Sequence, residues 1–188
     1  MRELDISKKT YNYSGRWKKG FTIRGQYNEI LTNKIGSGSI ISGWCFIGRN
    51  VELGRRVKIS NFVNLDSGCK IGDDTNIQTF VVLNSNTVVG KRCLISTHVT
   101  TLDEKYPTPL TETIKRIPCN IGNDCVIGGG AVLVSAMIGN KAVIGAGSVV
   151  LNNIPNEEVW AGVQAKFIMK RKSFDEKIEI YKIGLKIK

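Results

Sequence analysis

The chain carries one histidine, His98, among its 188 residues. Histidine is the side chain suited to taking a proton near neutral pH, so a reaction in which a hydroxyl or amine must lose one has a single imidazole candidate. Asp103, Glu104 and Tyr106 follow shortly after it, two carboxylates and a phenol able to orient a polar acceptor. A lone histidine excludes a zinc centre built on three imidazoles. The five cysteines show no CxxC spacing, so neither a metal site nor a disulfide framework is expected. No P-loop, dinucleotide fingerprint or nucleophile elbow is present. Cys119 remains a remote nucleophile candidate. Each feature has a plainer reading: loop carboxylates are commonly only solvated, and a histidine can be a packing residue.

The elements that must position these residues are set by a six-residue repeat. Ile35, Ile41, Ile47, Leu53, Ile59, Leu65, Ile71, Ile77, Leu83, Val89 and Ile95 recur every sixth position without a polar interruption. The position four after each is small or β-branched, from Ser39 and Cys45 to Cys93 and Val99. The two marked positions of neighbouring hexads lie two residues apart and so share one side of a strand. Each hexad is then a short strand with two inward side chains, followed by a turn where Gly often sits, as in Ile71-Gly72. Repeating such units buries each apolar face against its neighbours. The predicted fold is an all-β parallel β-helix of three hexads per coil. A β-sandwich, with strands at wider and more variable spacing, does not fit a strict six.

An eighteen-residue coil puts Trp44, Phe62, Phe80 and His98 in one slot, as an external column. His98 is therefore either a base at the end of an aromatic wall or that wall's fourth member. The pattern pauses over 101–119, which holds three prolines, and resumes at Ile121, Ile127 and Leu133. A long stretch without its own pattern is often functional. The predicted organisation is a basic extension over 1–20, the β-helix over 21–154 with its excursion at 101–119, and a C-terminal segment over 155–188. In that segment Phe174, Ile178, Tyr181 and Leu185 have helical spacing, and a short helix is expected to cover the last coil's open edge.

Net charge is +11. Residues 35–165 are nearly neutral, with eleven Lys/Arg against ten Asp/Glu, whereas residues 1–34 and 166–188 each hold eight against three. Basic ends attract an anion such as a phosphorylated cofactor, or are solvated tails. No nucleic-acid-binding pattern is visible. The polar start and the lack of a long apolar stretch predict neither a signal peptide nor membrane insertion. Cysteines in small inward slots fit a reducing cytoplasm.

These residues resemble the hexapeptide-repeat acyltransferases over roughly residues 21–170. The resemblance is most specific at Ile138-Gly139-Asn140-Lys141-Ala142-Val143-Ile144-Gly145-Ala146-Gly147-Ser148-Val149-Val150 and at Val159-Trp160-Ala161-Gly162-Val163-Gln164-Ala165-Lys166. It implies that the coil is a left-handed parallel β-helix, that the protein is a homotrimer, and that the donor is acetyl-CoA with no metal. It also implies a pantetheine groove between subunits, lined here by Gly128, Gly129, Gly130, Ala131, Ala146, Gly147 and Ser148. Lys166, Lys170 and Arg171 would meet the cofactor's phosphates. His98 is then the candidate catalytic base, with Asn84, Asp103, Glu104 and Tyr106 on the acceptor.

Leu102-Asp103-Glu104-Lys105-Tyr106-Pro107 is similar to a stretch in the branch that N-acetylates nucleotide-linked amino sugars, some members of which use no side-chain base. The sugar O-acetylating branch often has histidine in this excursion, and this chain has none. The expected function is transfer of an acetyl group from acetyl-CoA to a sugar, amine or hydroxyl, in surface-polysaccharide synthesis. The rivals are a small non-sugar acceptor, such as an antibiotic or amino acid, and a non-catalytic β-helix used as a scaffold or binding module.

Overall fold

The computed structural model describes residues 15–16, 20–107, 109 and 116–186. Its strands are short, most of them two residues, and they stack into three parallel sheets that form the sides of a prism. The first face runs from Thr22–Ile23 through Ile40–Ile41, Lys58–Ile59, Asn76–Ile77 and Leu94–Ile95 to Val126–Ile127 and Val143–Ile144. The second runs from Glu29–Ile30 to Val149–Val150, and the third from Glu52–Leu53 to Met137–Ile138. Asn76 and Ile77 pair with Lys58 and Ile59 on one side and with Leu94 and Ile95 on the other. That register is the eighteen-residue coil read from the sequence. After the excursion the coil shortens, and Val126 pairs with Val143.

Both residues of the hexad rule point inward. Ile41, Ile59, Ile77 and Ile95 are buried, as are Leu65 and Leu83. The small slot is buried too, including Ser39, Thr75 and Thr87. These hydroxyls are satisfied by the neighbouring coil: Ser39 Oγ donates to Gly54 O at 2.9 Å, and Thr75 Oγ1 donates to Gly90 O at 2.8 Å. The slot therefore takes a side chain that is short and, where polar, able to reach a carbonyl one coil on. Leu83→Ala would open a cavity in a fully buried column, so we expect a loss of about 2–5 kcal/mol in a denaturant melt. A loss below about 1 kcal/mol would show that the column is not tightly packed.

The hexad glycines serve close approach rather than backbone sign. A Cβ on Gly72 would lie 2.6 Å from the Gly90 carbonyl carbon, and its φ is not positive. The left-handed residue comes two positions later and is commonly not glycine, as at Asp74 (φ +61°). Along the edge joining the third and first faces this slot holds Arg56, Asp74, Arg92, Asp124, Lys141 and Glu157. Arg56 Nε meets Asp74 Oδ1 at 2.6 Å, Arg92 Nε meets Asp124 Oδ1 at 2.6 Å, and Lys141 Nζ meets Glu157 Oε1 at 2.8 Å.

The excursion leaves after Thr100–Leu102 and returns at Asn120–Ile121. At the C-terminal end the structure corrects the expected cap. Strand Lys166–Lys170 pairs antiparallel with Glu158–Ala161 and covers the first face's last edge. Helix α1 (Arg171–Lys186) continues from it, with Ile180 and Tyr181 exposed. Backbone donors and acceptors at a sheet edge are met better by a strand than by a helix, whose own bonds are internal. At the other end Gly15–Arg16 pairs antiparallel with Thr22–Ile23.

Candidate functional site

The edge between the first and second faces changes character at His98. Above it, Tyr27, Trp44, Phe62 and Phe80 occupy successive left-handed slots with φ between +58° and +61°, and His98 follows at +60°. Their rings stack: Tyr27 on Trp44 at 4.3 Å, Trp44 on Phe62 at 5.9 Å, Phe62 on Phe80 at 4.9 Å and Phe80 on His98 at 4.9 Å. The expected column is present, and Tyr27 extends it. Tyr27 escaped the sequence reading because it stands seventeen residues before Trp44, off the strict period. His98 is exposed, and its side chain makes no hydrogen bond among the described residues.

Below His98 the same edge loses its side chains. Gly130 N donates to Thr97 O at 2.8 Å and Gly147 N to Gly129 O at 2.8 Å, so backbone continues directly beneath. A Cβ on Gly130 or Gly147 would meet nothing within 4 Å, and both have positive φ. Two coils of bare backbone thus form a notch under the imidazole. The other small residues divide. Gly128 is needed for coil contact, since its Cβ would lie 2.4 Å from Ala146 N. A Cβ on Gly129 would lie 3.2 Å from Thr97 Oγ1, and Ala146 is exposed at the notch. Ala131 and Ser148 are fully buried, and Ser148 Oγ accepts from Gly162 N at 3.1 Å. Those two point into the core and offer a ligand no side chain.

The notch runs on to Gly162, whose carbonyl accepts from Val149 N at 3.1 Å. Three coil steps from His98 to this level amount to about 14 Å. Lys166 pairs with Ala161 immediately beyond; it is exposed and has no ion-pair partner among the described residues. Lys170 and Arg171 differ. Lys170 Nζ contacts Glu158 Oε1 at 2.6 Å, and this ammonium, with the Trp160 indole N–H, holds the Glu158 carboxyl below its ordinary range. Arg171 Nε binds Asp175 Oδ1 at 2.7 Å and Nη1 donates to Lys141 O at 3.2 Å. Of the three cations, Lys166 alone is unneutralised and closest in sequence to the glycine strip.

The other polar candidates gather at the edge between the second and third faces. Asp103 is buried; Asn84 Nδ2 donates to its Oδ1 at 3.2 Å, and Ile117 N donates to its backbone carbonyl at 2.8 Å. Arg116 Nη1 lies 3.9 Å from Asp103 Oδ2, and Nη2 lies 3.0 Å from Glu104 Oε1, strapping the two ends of the excursion together. Burial pushes the Asp66 carboxyl up, and the Asp103 charge adds to that. Arg116 and Asp66 escaped the sequence reading because no spacing rule joins them to Asp103 across coils and loop. Tyr106 is exposed. Strand Thr100–Leu102 of the second face lies between His98 and Asp103, so the two groups stand at opposite edges of that face.

Cys119 is buried, and its Sγ donates to Leu133 O at 3.4 Å. Burial raises its thiol, so it is no nucleophile. The Cys45 and Cys69 thiols are pushed up to about 11 and about 12 by burial. All five cysteines are free and buried. Among the described residues no cluster of His, Cys, Asp and Glu is arranged to hold a metal, and no helix is long and apolar enough to cross a membrane.

The fold is shared with hexapeptide-repeat acetyltransferases of known structure. The polySia-specific acetyltransferase NeuO is similar over 80% of this chain and 70% of its own, at 20% identity and a TM-score of 0.60. The hexapeptide-repeat-containing acetyltransferase VCA0836 of Vibrio cholerae O1 biovar eltor, complexed with acetyl coenzyme A, is similar over 71% and 70%, at 21% identity and 0.52. A hexapeptide transferase family protein from Anaplasma phagocytophilum is similar over 84% and 93%, at 22% identity and 0.50. No protein-family model and no curated sequence matches the chain.

Proposed function

We propose that the chain is an acetyltransferase moving an acetyl group from acetyl-CoA to a sugar. The observation that carries this reading is the notch: a lone exposed histidine stands over two coils of bare backbone that lead to Lys166, which has no ion-pair partner among the described residues. A thin pantetheine arm needs such a passage, and Lys166 would meet the phosphates at its far end. The acetyl complex of VCA0836, with the same fold, supports the choice of donor.

In this reading His98 takes the proton from the acceptor's amine or hydroxyl as it attacks the thioester carbonyl. The C–S bond breaks and the proton passes to the departing CoA thiolate. No acyl-enzyme is needed, which agrees with the buried cysteines. The remote edge favours an amine. Asp66, Asp103 and Glu104 stand there beside Arg49 and Arg116, and three carboxylates suit an amino group as hydrogen-bond donor. The polySia specificity of NeuO makes a sugar hydroxyl the second reading. A role in surface-polysaccharide synthesis, a cytoplasmic setting and a homotrimer belong to the same proposal. The exposed aromatic edge supports self-association, and five free thiols suit a reducing compartment.

Calorimetric titration with acetyl-CoA tests the donor. Wild type is expected to bind, and Lys166→Ala to bind about 5- to 20-fold more weakly through one lost charge-assisted contact. No binding by wild type would move the weight to a scaffold role. Release of free CoA thiol with nucleotide-linked amino sugars, plain sugars, amino acids and aminoglycosides then identifies the acceptor class.

A further inference from the structure

We propose that Phe80 is a positioning residue that holds the His98 imidazole across the top of the notch. This rests on the reading of His98 as the base. A catalytic histidine is ordinarily oriented by a hydrogen bond at its second nitrogen. Among the described residues His98 has neither a side-chain hydrogen bond nor an ion pair. An exposed side chain so placed would change rotamer on a picosecond-to-nanosecond scale. What His98 does have is a ring face: Phe80 lies 4.9 Å from it at an interplanar angle of 28°.

Phe80 is itself backed by the rest of the column. Phe62 stacks on it at 4.9 Å and 10°, and Trp44 backs Phe62. The column therefore backs the His98 ring on one face, and the opposite face is open above Gly130. A stacked ring turns its edge outward, and in imidazole the edge carries both nitrogens. Stacking thus leaves the ring edge open at the notch mouth, with the unprotonated nitrogen free to take the acceptor's proton. Aliphatic residues would fill the Phe80 slot without offering a flat face.

The single histidine makes this testable by proton NMR, because every imidazole resonance belongs to His98. Ring current from Phe80 should shift these resonances upfield. Phe80→Leu should return them toward the positions of a free histidine, and Phe80→Trp should keep them shifted. With the acceptor found by thiol release, Phe80→Leu should lower kcat about 10- to 100-fold with KM for acetyl-CoA within about twofold, and Phe80→Trp should restore it. Unchanged resonances in Phe80→Leu overturn the proposal, as does an unchanged kcat. A loss confined to KM for acetyl-CoA also overturns it, since Phe80 would then be a binding wall. His98→Ala is run alongside: full activity in that variant defeats the base assignment whatever Phe80 does. If thiol release finds no acceptor, the resonances decide, and acetyl-CoA added to wild type should perturb them.

Discussion

Gly130→Phe is expected to weaken acetyl-CoA binding by about 100-fold or more, equivalent to about 2.7 kcal/mol, while the protein stays folded. Both halves follow from one edge. Gly130 sits in the left-handed slot directly beneath His98, at φ +69°. In that slot the coils above accept Trp44, Phe62 and Phe80 at φ +58° to +61°, so an aromatic residue here is something the backbone already supports. The new ring would stack under His98 and continue the wall through the notch. A Cβ meets nothing within 4 Å, so no packing is disturbed on entry. Binding is measured by calorimetry and the fold by thermal melting. A Gly130→Phe protein that binds acetyl-CoA like wild type would sink the assignment of the notch to the donor. Gly130→Ala separates the causes: it carries the backbone cost of a left-handed alanine, about 1–2 kcal/mol, with little obstruction, and should bind nearly as wild type does.

The second large effect is at the base. His98→Phe is expected to lower kcat by about 10²- to 10⁴-fold and to leave the dissociation constant of acetyl-CoA nearly unchanged. Phenylalanine is the informative replacement because Phe62 and Phe80 show that it fits the column. Stacking is kept and proton uptake is lost. If His98 is only the wall's fourth member, His98→Phe should be fully active. A drop of tenfold or less would instead fit an acceptor amine that attacks in its neutral form, with positioning supplying most of the rate.

The coil was legible because the inward positions obey a local rule. A two-residue strand has one fully buried side chain, and that residue cannot drift from its period without placing a polar group in the core. Ile77 and its partners Ile59 and Ile95 show the rule directly. The edge column was legible for the same reason, since one period fixes inside and outside alike. Tyr27 was lost where the coil shortens by one residue, and the C-terminal cap was misjudged because helical spacing at Phe174 and Ile178 does not say where the helix packs. The strap between Arg116 and Asp103 joins the two ends of a loop that has no period. Ala131 and Ser148 look like groove residues by size, but their slot faces the core, as Val99 and Val81 do one and two coils earlier.

The charged edge gives the solenoid a parity. Arg56, Asp74, Arg92, Asp124, Lys141 and Glu157 alternate in sign from coil to coil. Removing one inner coil, or inserting one, would leave one pair of like charges facing each other at the junction, as Arg56 against Arg92. Removing or inserting two would restore the alternation. The apolar core has no such memory, because Ile59, Ile77 and Ile95 are interchangeable. A prism built on the core alone could grow or shrink by any whole coil, whereas this one can change length without internal repulsion only in pairs.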